Sequence, residues 1–298
     1  STPNRGTVLR SARVGSHGAM STETFDLAEP ELTADDLLVL DDPHFGTETV
    51  AVVTGAASGI GRATAVALAA NGLTVVGADV DEVGLEETVE LAVDDVDAPG
   101  TVHPIQTDLT DDADIEAMIE GAAELGELRY VANIAGVQHI ASIPEFPMER
   151  YDLLLDVMLR APFLVAKFAM PHIRATDDGV GAIANMSSIH GHYATKDKPA
   201  YITAKHGLHG LTRSIAAEGD GTLRGLSVSV GYVPTPLMVN QIEDTAEERG
   251  ISERGVVENV MLGQASTKDM MTPEEVANLF VFGFYRHGNH LNGGDLLW

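Results

Sequence analysis

Cysteine is absent from the 298 residues. Disulfide cross-links, thiolate nucleophiles and cysteine-ligated zinc are therefore excluded. Long apolar runs are missing too: none approaches the length that spans a bilayer, and the N-terminal stretch carries no signal-type apolar segment. A cytoplasmic chain without membrane contact is expected. Basic residues are scarce, 18 Lys and Arg against 45 Asp and Glu, for a formal net charge of -27. Such a field repels nucleic-acid phosphates and anionic lipid, so neither is an expected partner. The acids are spread along the chain (Asp94, Asp95, Asp97, Asp111, Asp112, Asp114, Glu243, Glu247, Glu248) rather than gathered in one patch. That distribution resembles proteins of halophilic organisms, in which concentrated salt screens the self-repulsion.

Residues 1–48 show no sustained periodicity and are expected to form an N-terminal extension, partly disordered, with glycine and serine around Gly15 to Gly18 and a possible natural start at Met20. Thr33-Ala34-Asp35-Asp36 ahead of Leu37, Leu38 and Leu40 could cap one short helix. From Thr49 onward the pattern alternates. Strand-like apolar runs lie at Val50–Val53, Leu73–Ala78, Val102–Gln106, Arg129–Asn133, Gly181–Met186 and Leu226–Val230, and helix-like stretches at Gly59–Ala70, Asp111–Leu125, Arg150–Ile173, Ala200–Ala217 and Pro273–Phe284. Strands alternating with helices predict an α/β fold: one doubly wound parallel sheet, a Rossmann domain over 49–298 with helices on both faces.

The first strand runs into Thr54-Gly55-Ala56-Ala57-Ser58-Gly59-Ile60-Gly61, after which a helix begins. Glycines there permit a tight turn and let the backbone approach a pyrophosphate, whose charge is stabilised at the helix N-terminus. Strand before and helix after is the context such a loop needs. The second strand ends at Asp79, whose carboxylate can accept hydrogen bonds from ribose hydroxyls and would repel a 2′-phosphate. Arg62 at the helix start is too little to outweigh it, so NAD is expected rather than NADP.

The spacing TGxxxGxG resembles the short-chain dehydrogenase/reductase family, and further marks follow in order: Asn133-Ile134-Ala135-Gly136, Ser188, and Tyr201-xxx-Lys205, the tyrosine standing 13 residues after the serine. The resemblance implies hydride transfer between a nicotinamide and a hydroxy compound, with Ser188, Tyr201 and Lys205 catalytic. It implies cofactor contacts at Gly55, Ser58, Gly59, Ile60, Gly61, Asp79, Asp108, Asn133, Ala135, Gly136, Tyr201, Lys205, Val233 and Thr235. The chemistry is consistent. Alcohol oxidation needs a base at the hydroxyl; a free phenol, with a pKa near 10, is too weakly acidic to supply one at neutral pH. Lys205, one helical turn on, faces the same side and should favour the phenolate. Ser188 would stabilise developing alkoxide charge. Ser187, its neighbour on the strand, should face the other way.

Two positions depart from the family. Met158 stands where the family has a catalytic asparagine; the expectation is that its backbone carbonyl still holds a relay water, because Pro162 has no N–H to bond it. Val230-Gly231 replaces the usual Pro-Gly.

Within the family the chain is similar to D-3-hydroxybutyrate dehydrogenases at Gly136-Val137-Gln138-His139, Ser188-Ile189-His190-Gly191, Lys198 and Gln241. That likeness implies a carboxylate pocket of Gln138, His190, Lys198 and Gln241 beside Ser188 and Tyr201, a charge and several donors suited to an acid. A short-chain dehydrogenase for a sugar or other secondary alcohol remains open, as does a non-catalytic NAD-binding regulator. The segment 236–268 is expected to be a lid over the substrate. His190-x-His192 and His206-xx-His209 lack an evident third ligand, so no metal is expected. The family resemblance also implies a homotetramer and a few residues beyond Trp298.

The charge pattern generates one expectation. The thermal midpoint should rise by several degrees as KCl is raised from about 0.1 M to about 2 M. A midpoint flat across that range would remove the case for salt adaptation.

Overall fold

A computed structural model describes residues 32–263 and 270–297. The sheet is seven-stranded and parallel throughout, in the order β3-β2-β1-β4-β5-β6-β7. Its strands are β1 Thr49–Thr54, β2 Thr74–Asp79, β3 Thr101–Gln106, β4 Glu127–Asn133, β5 Gly181–Met186, β6 Leu223–Ser229 and β7 Asp295–Leu297. The helices are α1 Gly59–Ala70, α2 Glu82–Glu90, α3 Asp112–Leu125, α4 Met148–Leu155, α5 Ala161–Arg174, α6 Pro199–Glu218, α7 Pro236–Arg249, α8 Glu253–Gly255 and α9 Pro273–Phe284.

Why the central strands read as continuous apolar runs follows from burial on both faces. In β1, Ala51 and Val53 point into the core under α1 and α9, while Val50 and Val52 point into the core under α3 and α5. Pro104 fits because β3 is an edge strand, where a missing N–H costs no ladder bond. Helix starts follow their chemistry: Asp111 caps α3 through the N–H groups of Ala113 and Asp114, and Thr272 and Glu275 form a capping box on α9.

The short edge strand β7 has no counterpart among the expected strands, and four further features differ from the sequence expectation. The single helix expected over Arg150–Ile173 is α4 and α5 joined by a wide π turn at Asp156–Arg160, just before Pro162 removes one N–H from the ladder. Helix α2 has no counterpart among the expected helices because it buries only Gly84, Leu85 and Thr88, too thin an apolar stripe to give a period. Strand β6 starts three residues early, at Leu223, because the buried Arg224 interrupts the apolar pattern; its guanidinium donates to the Phe284 carbonyl at 2.9 Å.

The fourth is the N-terminal extension. Residues 1–31 lie outside the described residues, but 32–48 form an ordered strap. Leu37 is buried, and Leu32, Leu38, Leu40 and Phe45 pack against the α1/α9 core. Thr33 precedes only a short 3₁₀ turn, Ala34–Asp36, without a side-chain cap. No period is visible in the sequence because the strap is irregular and its backbone is bonded by side-chain amides. Asn71 accepts from the Leu40 N–H at 2.8 Å and donates to the Leu38 carbonyl at 2.8 Å, and Asn278 accepts from the Leu38 N–H at 2.7 Å.

Asn71→Ala should therefore cost about 1–3 kcal/mol in denaturant unfolding and open a new proteolytic cut between residues 32 and 48. Unchanged stability together with an uncut strap would mean that the apolar contacts alone hold it.

Candidate active site

The strand order reverses between β1 and β4, and a cavity of about 450 Å³ opens there at the carboxyl ends of the strands, the usual ligand crevice of an open α/β sheet. The glycine-rich loop makes its floor. Gly55 has φ +73 and lies so near β4 that a Cβ would stand 2.8 Å from the Ala135 Cα; Gly59 has φ +51. A Cβ on Gly61 would fall on the Gly55 carbonyl. Ser58 is the N-cap of α1 but makes no side-chain cap bond, and the first turn holds no acid. The helix start is thus free to meet an anion. A cradle that only glycine can form, beside an uncapped helix start, fits a dinucleotide pyrophosphate.

At the far end of the same floor, Asp79 is fixed by the N–H groups of Ala57 and Asp81, each at 3.2 Å. Arg62 turns away: its guanidinium donates to the carbonyls of Ala57 and Gly84 and pairs with Glu87 at 2.7 Å. Asp108 lines the wall, but its Oδ1 accepts from the Thr110 N–H and hydroxyl, which hold its pKa below the usual value. Ile60, Ala135, Gly136, Val233 and Thr235 also line the cavity; Thr235 caps α7 through the Met238 N–H. Asn133 does not line it. Its amide donates to Asn185 at 2.9 Å, and Asn185 donates to Thr212 at 3.0 Å, a buried polar ladder joining β4, β5 and α6 behind the cleft.

At the other end, β5 and α6 converge. Ser188 lies two residues beyond β5, its Oγ accepting from the His190 N–H at 3.2 Å. Ser187 points the opposite way, to His209 at 3.1 Å. Tyr201 and Lys205 face the cavity one turn apart on α6. The Lys205 Nζ donates to the Met186 carbonyl at 2.7 Å and stands 5.3 Å from the Tyr201 ring centre. The expectation that Lys205 pulls the tyrosine pKa down is not met here. Burial raises the phenol, a hydrogen bond from Ser188 opposes that shift, and burial brings Lys205 itself down to about 7. Met158 is buried in the π turn, its side chain among Leu154, Ala200 and Ala204, and does not line the cavity.

Gln138, His190, Lys198 and Gln241 come together on the remaining wall. The Lys198 Nζ donates to Gln241 Oε1 at 2.7 Å and lies 5.2 Å from the Tyr232 ring centre. Burial, with Arg249 nearby, lowers its pKa to about 8. Among the described residues no carboxylate lies within ion-pair distance of it. His190 is lowered to about 4 by burial and by Lys198, so it stays neutral; its ring atoms lie 3.4 Å from Ser188 Oγ and 3.2 Å from Thr195 Oγ1. Tyr232 and Thr195 had no motif to announce them.

Above this wall, α7, α8 and the turn Val256–Met261 share a small core of their own (Met238, Ile242, Val256, Val257, Met261, Leu262). The rest of the expected lid, from 264 to 268, lies outside the described residues. Of the histidine pairs, His190 serves the cleft, whereas His192 and His209 meet away from it with Asp295 as a third donor that the local spacing could not reveal.

The sequence model of a family described as short chain dehydrogenase matches residues 49–246. A D-beta-hydroxybutyrate dehydrogenase of Rhizobium meliloti (strain 1021) is 37% identical over 236 residues, covering 78% of this chain and 90% of that protein. The crystal structure of a levodione reductase superposes with a TM-score of 0.78 at 27% identity, covering 85% of this chain and 96% of that one. A candidate NAD(P)-dependent gluconate 5-dehydrogenase from Beutenbergia cavernae, with NADP bound at low occupancy, gives 0.74 at 26% identity, covering 86% and 96%.

The buried lysine generates a stability prediction. With a folded-state pKa of about 7 against 10.5 for the free side chain, the burial penalty of Lys205 is full below pH 7 and fades as pH rises to 10.5. Lys205→Met should therefore melt above the wild type near pH 6, with the gap closing toward about pH 10. A pH-independent difference between the two melting curves would contradict the assignment.

Proposed function

The chain belongs to the short chain dehydrogenase family, and on that premise we propose that it is an NAD-dependent oxidoreductase acting on a small hydroxy acid, with D-3-hydroxybutyrate, oxidised to acetoacetate, the best-supported substrate. The observation that carries the acid is Lys198: a buried cation facing the cleft, without a carboxylate partner, in a chain of net charge -27. An unpaired buried charge is costly, and a substrate carboxylate is the group that would offset it. Gln138, Gln241 and the neutral His190 would complete the pocket by hydrogen bonding. The relation to a D-beta-hydroxybutyrate dehydrogenase supports the same reading.

NAD is favoured over NADP because Asp79 stands where it would accept from the ribose hydroxyls and Arg62 is spent on Ala57, Gly84 and Glu87. When bound, NAD supplies the positively charged hydride acceptor. The protein's own groups do the rest. Tyr201, as phenolate, takes the hydroxyl proton while the carbon gives up its hydride, leaving a carbonyl and protonated Tyr201. Ser188 donates to the substrate oxygen and spreads the charge that builds there. Lys205, beside the ring, would favour the phenolate once the cleft is loaded, with the proton leaving past it; the Met158 carbonyl, which can take no N–H from Pro162, would be the acceptor for a relay water behind the cleft wall. Because burial raises Tyr201 in the free protein, the phenolate is the form of the loaded cleft, where a cationic ring counts in its favour.

We propose further that α7 with the segment after it closes as a lid, a movement its separate small core supports. Assembly as a homotetramer would cover Phe163 on α5 and Leu297 at the end of β7, respectively 57% and 58% exposed. A second substrate reading, an uncharged secondary alcohol, is favoured by the apolar part of the cleft wall at Leu153, Val157 and Leu237.

The deciding assay is NADH formation at high salt with D- and L-3-hydroxybutyrate in parallel. Turnover of the D form alone is expected, with KM climbing above about pH 8 as Lys198 loses its charge, and with Lys198→Ala raising KM at least tenfold while kcat falls far less. NAD binding without turnover of either form would retire the hydroxy-acid reading, and turnover of cyclic alcohols instead would establish the second one.

A further inference from the structure

Outside the cleft, three segments remote in sequence bring metal-ligating side chains together. His192 follows the turn after Ser188, His209 lies one helical turn beyond Lys205 on α6, and Asp295 opens β7. One ligand atom from each lies within 4.8 Å of the other two. We propose that His192, His209 and Asp295 form a binding site for one divalent transition-metal ion, zinc or a metal of similar donor preference, that clamps these three segments to one another.

Several observations converge on this. His192 Nε2 and Asp295 Oδ2 are 2.7 Å apart, and the two imidazole centres are separated by 4.7 Å. Two imidazoles and one carboxylate make a donor set common for zinc, and nitrogen donors select against magnesium and calcium. The surroundings are those of an oriented site. The hydroxyls of Ser227 and Ser229 both donate to Asp295 Oδ1, at 2.6 and 2.8 Å, so that Oδ2 is the atom turned toward His192. His209 Nε2 meets Ser187 at 3.1 Å and its Nδ1 meets Ser227 at 3.3 Å, so a bound ion would displace one serine from its nitrogen while the other bond keeps the ring oriented. Gly191 is required for this placement, because a Cβ there would collide with His209 Nε2 and with Ser187 Oγ.

Donors about 2.1 Å from a tetrahedral ion stand about 3.4 Å apart, so the longest separation must contract by roughly 1.4 Å at most and the His192–Asp295 pair must open by about 0.7 Å. His192, 38% exposed, can supply that by side-chain rotation, and its exposure opens the site to solvent. The negative field of the chain favours cation entry. A bound ion would tie the turn that carries Ser188 and His190 to the helix that carries Tyr201 and Lys205. It would not enter the hydride step.

Tag-free full-length protein, stripped with a chelator, is titrated with Co2+ and then with Zn2+. One equivalent of Co2+ should give the visible absorption of a four-coordinate ion, be displaced by Zn2+, and raise the thermal midpoint. His192→Ala and Asp295→Asn should each weaken binding at least tenfold, as should the buried His209→Gln. His172→Ala, which removes one member of an exposed His–Glu pair 3.0 Å apart, should leave binding unchanged. Absence of a stoichiometric cobalt complex in the wild type, or equal binding by His192→Ala and Asp295→Asn, would show a hydrogen-bonded network only and overturn the proposal.

Discussion

Lys205 Nζ rests 2.7 Å from the Met186 carbonyl, in surroundings that bring its pKa down to about 7. Because this bond ties the last residue of β5 to the second turn of α6, it fixes where Tyr201 and Ser188 stand relative to each other. It also costs stability, since a buried ammonium gives up far more hydration than one carbonyl returns. What offsets that cost lies behind the site. The ladder from Asn133 through Asn185 to Thr212 joins β4, β5 and α6 by fully buried amide bonds. His209 and Ser187 add a second stitch between β5 and α6. The charged face of α6 is held by a satisfied polar face on its other side.

The distribution of cations follows a similar logic. Of five lysines in the sequence, two face the cleft without a carboxylate partner. Among the described residues, four arginines elsewhere are paired with acids: Arg62 on Glu87, Arg129 on Glu127 and Asp178, Arg160 on Asp112, Arg249 on Asp197. In a chain with so many acids, keeping two lysines away from every carboxylate requires that burial exclude the acids locally. The end of the cleft that holds Lys198 and Lys205 is therefore a positive island in a negative molecule, away from Asp79 and Asp108 at the other end. Small anions feel that difference at short range even when salt screens the rest.

The glycine-rich turn and the Ser188, Tyr201 and Lys205 positions could be read from the sequence because each is a local pattern on one element or at one junction. The central strands were legible for a related reason: burial on both faces leaves an unbroken apolar run. What could not be read depends on side chains that act across the fold. The strap at 32–48 is ordered by amides from Asn71 and Asn278, far away in the chain. Asn133 carries a family mark, yet its amide is committed to Asn185, which only the register of β4 with β5 reveals. The direction of the Tyr201 pKa is not legible in the sequence, because spacing shows that a lysine is near but not that both groups are buried and the ammonium is already held by Met186.

The bond between Lys198 and Gln241 joins the cleft wall to α7 and so links recognition to closure on the reading proposed above. Gln241 now presents its carbonyl oxygen to the ammonium, the arrangement a side-chain amide takes when no stronger acceptor is present. A substrate carboxylate is that stronger acceptor. Once it occupies Lys198, the Gln241 amide can turn and donate its N–H to the same carboxylate, drawing α7 inward. A neutral alcohol offers no such exchange and would leave the Lys198–Gln241 bond intact. Selection for an acid and closure of the lid would then be one event, driven by the replacement of a single hydrogen bond.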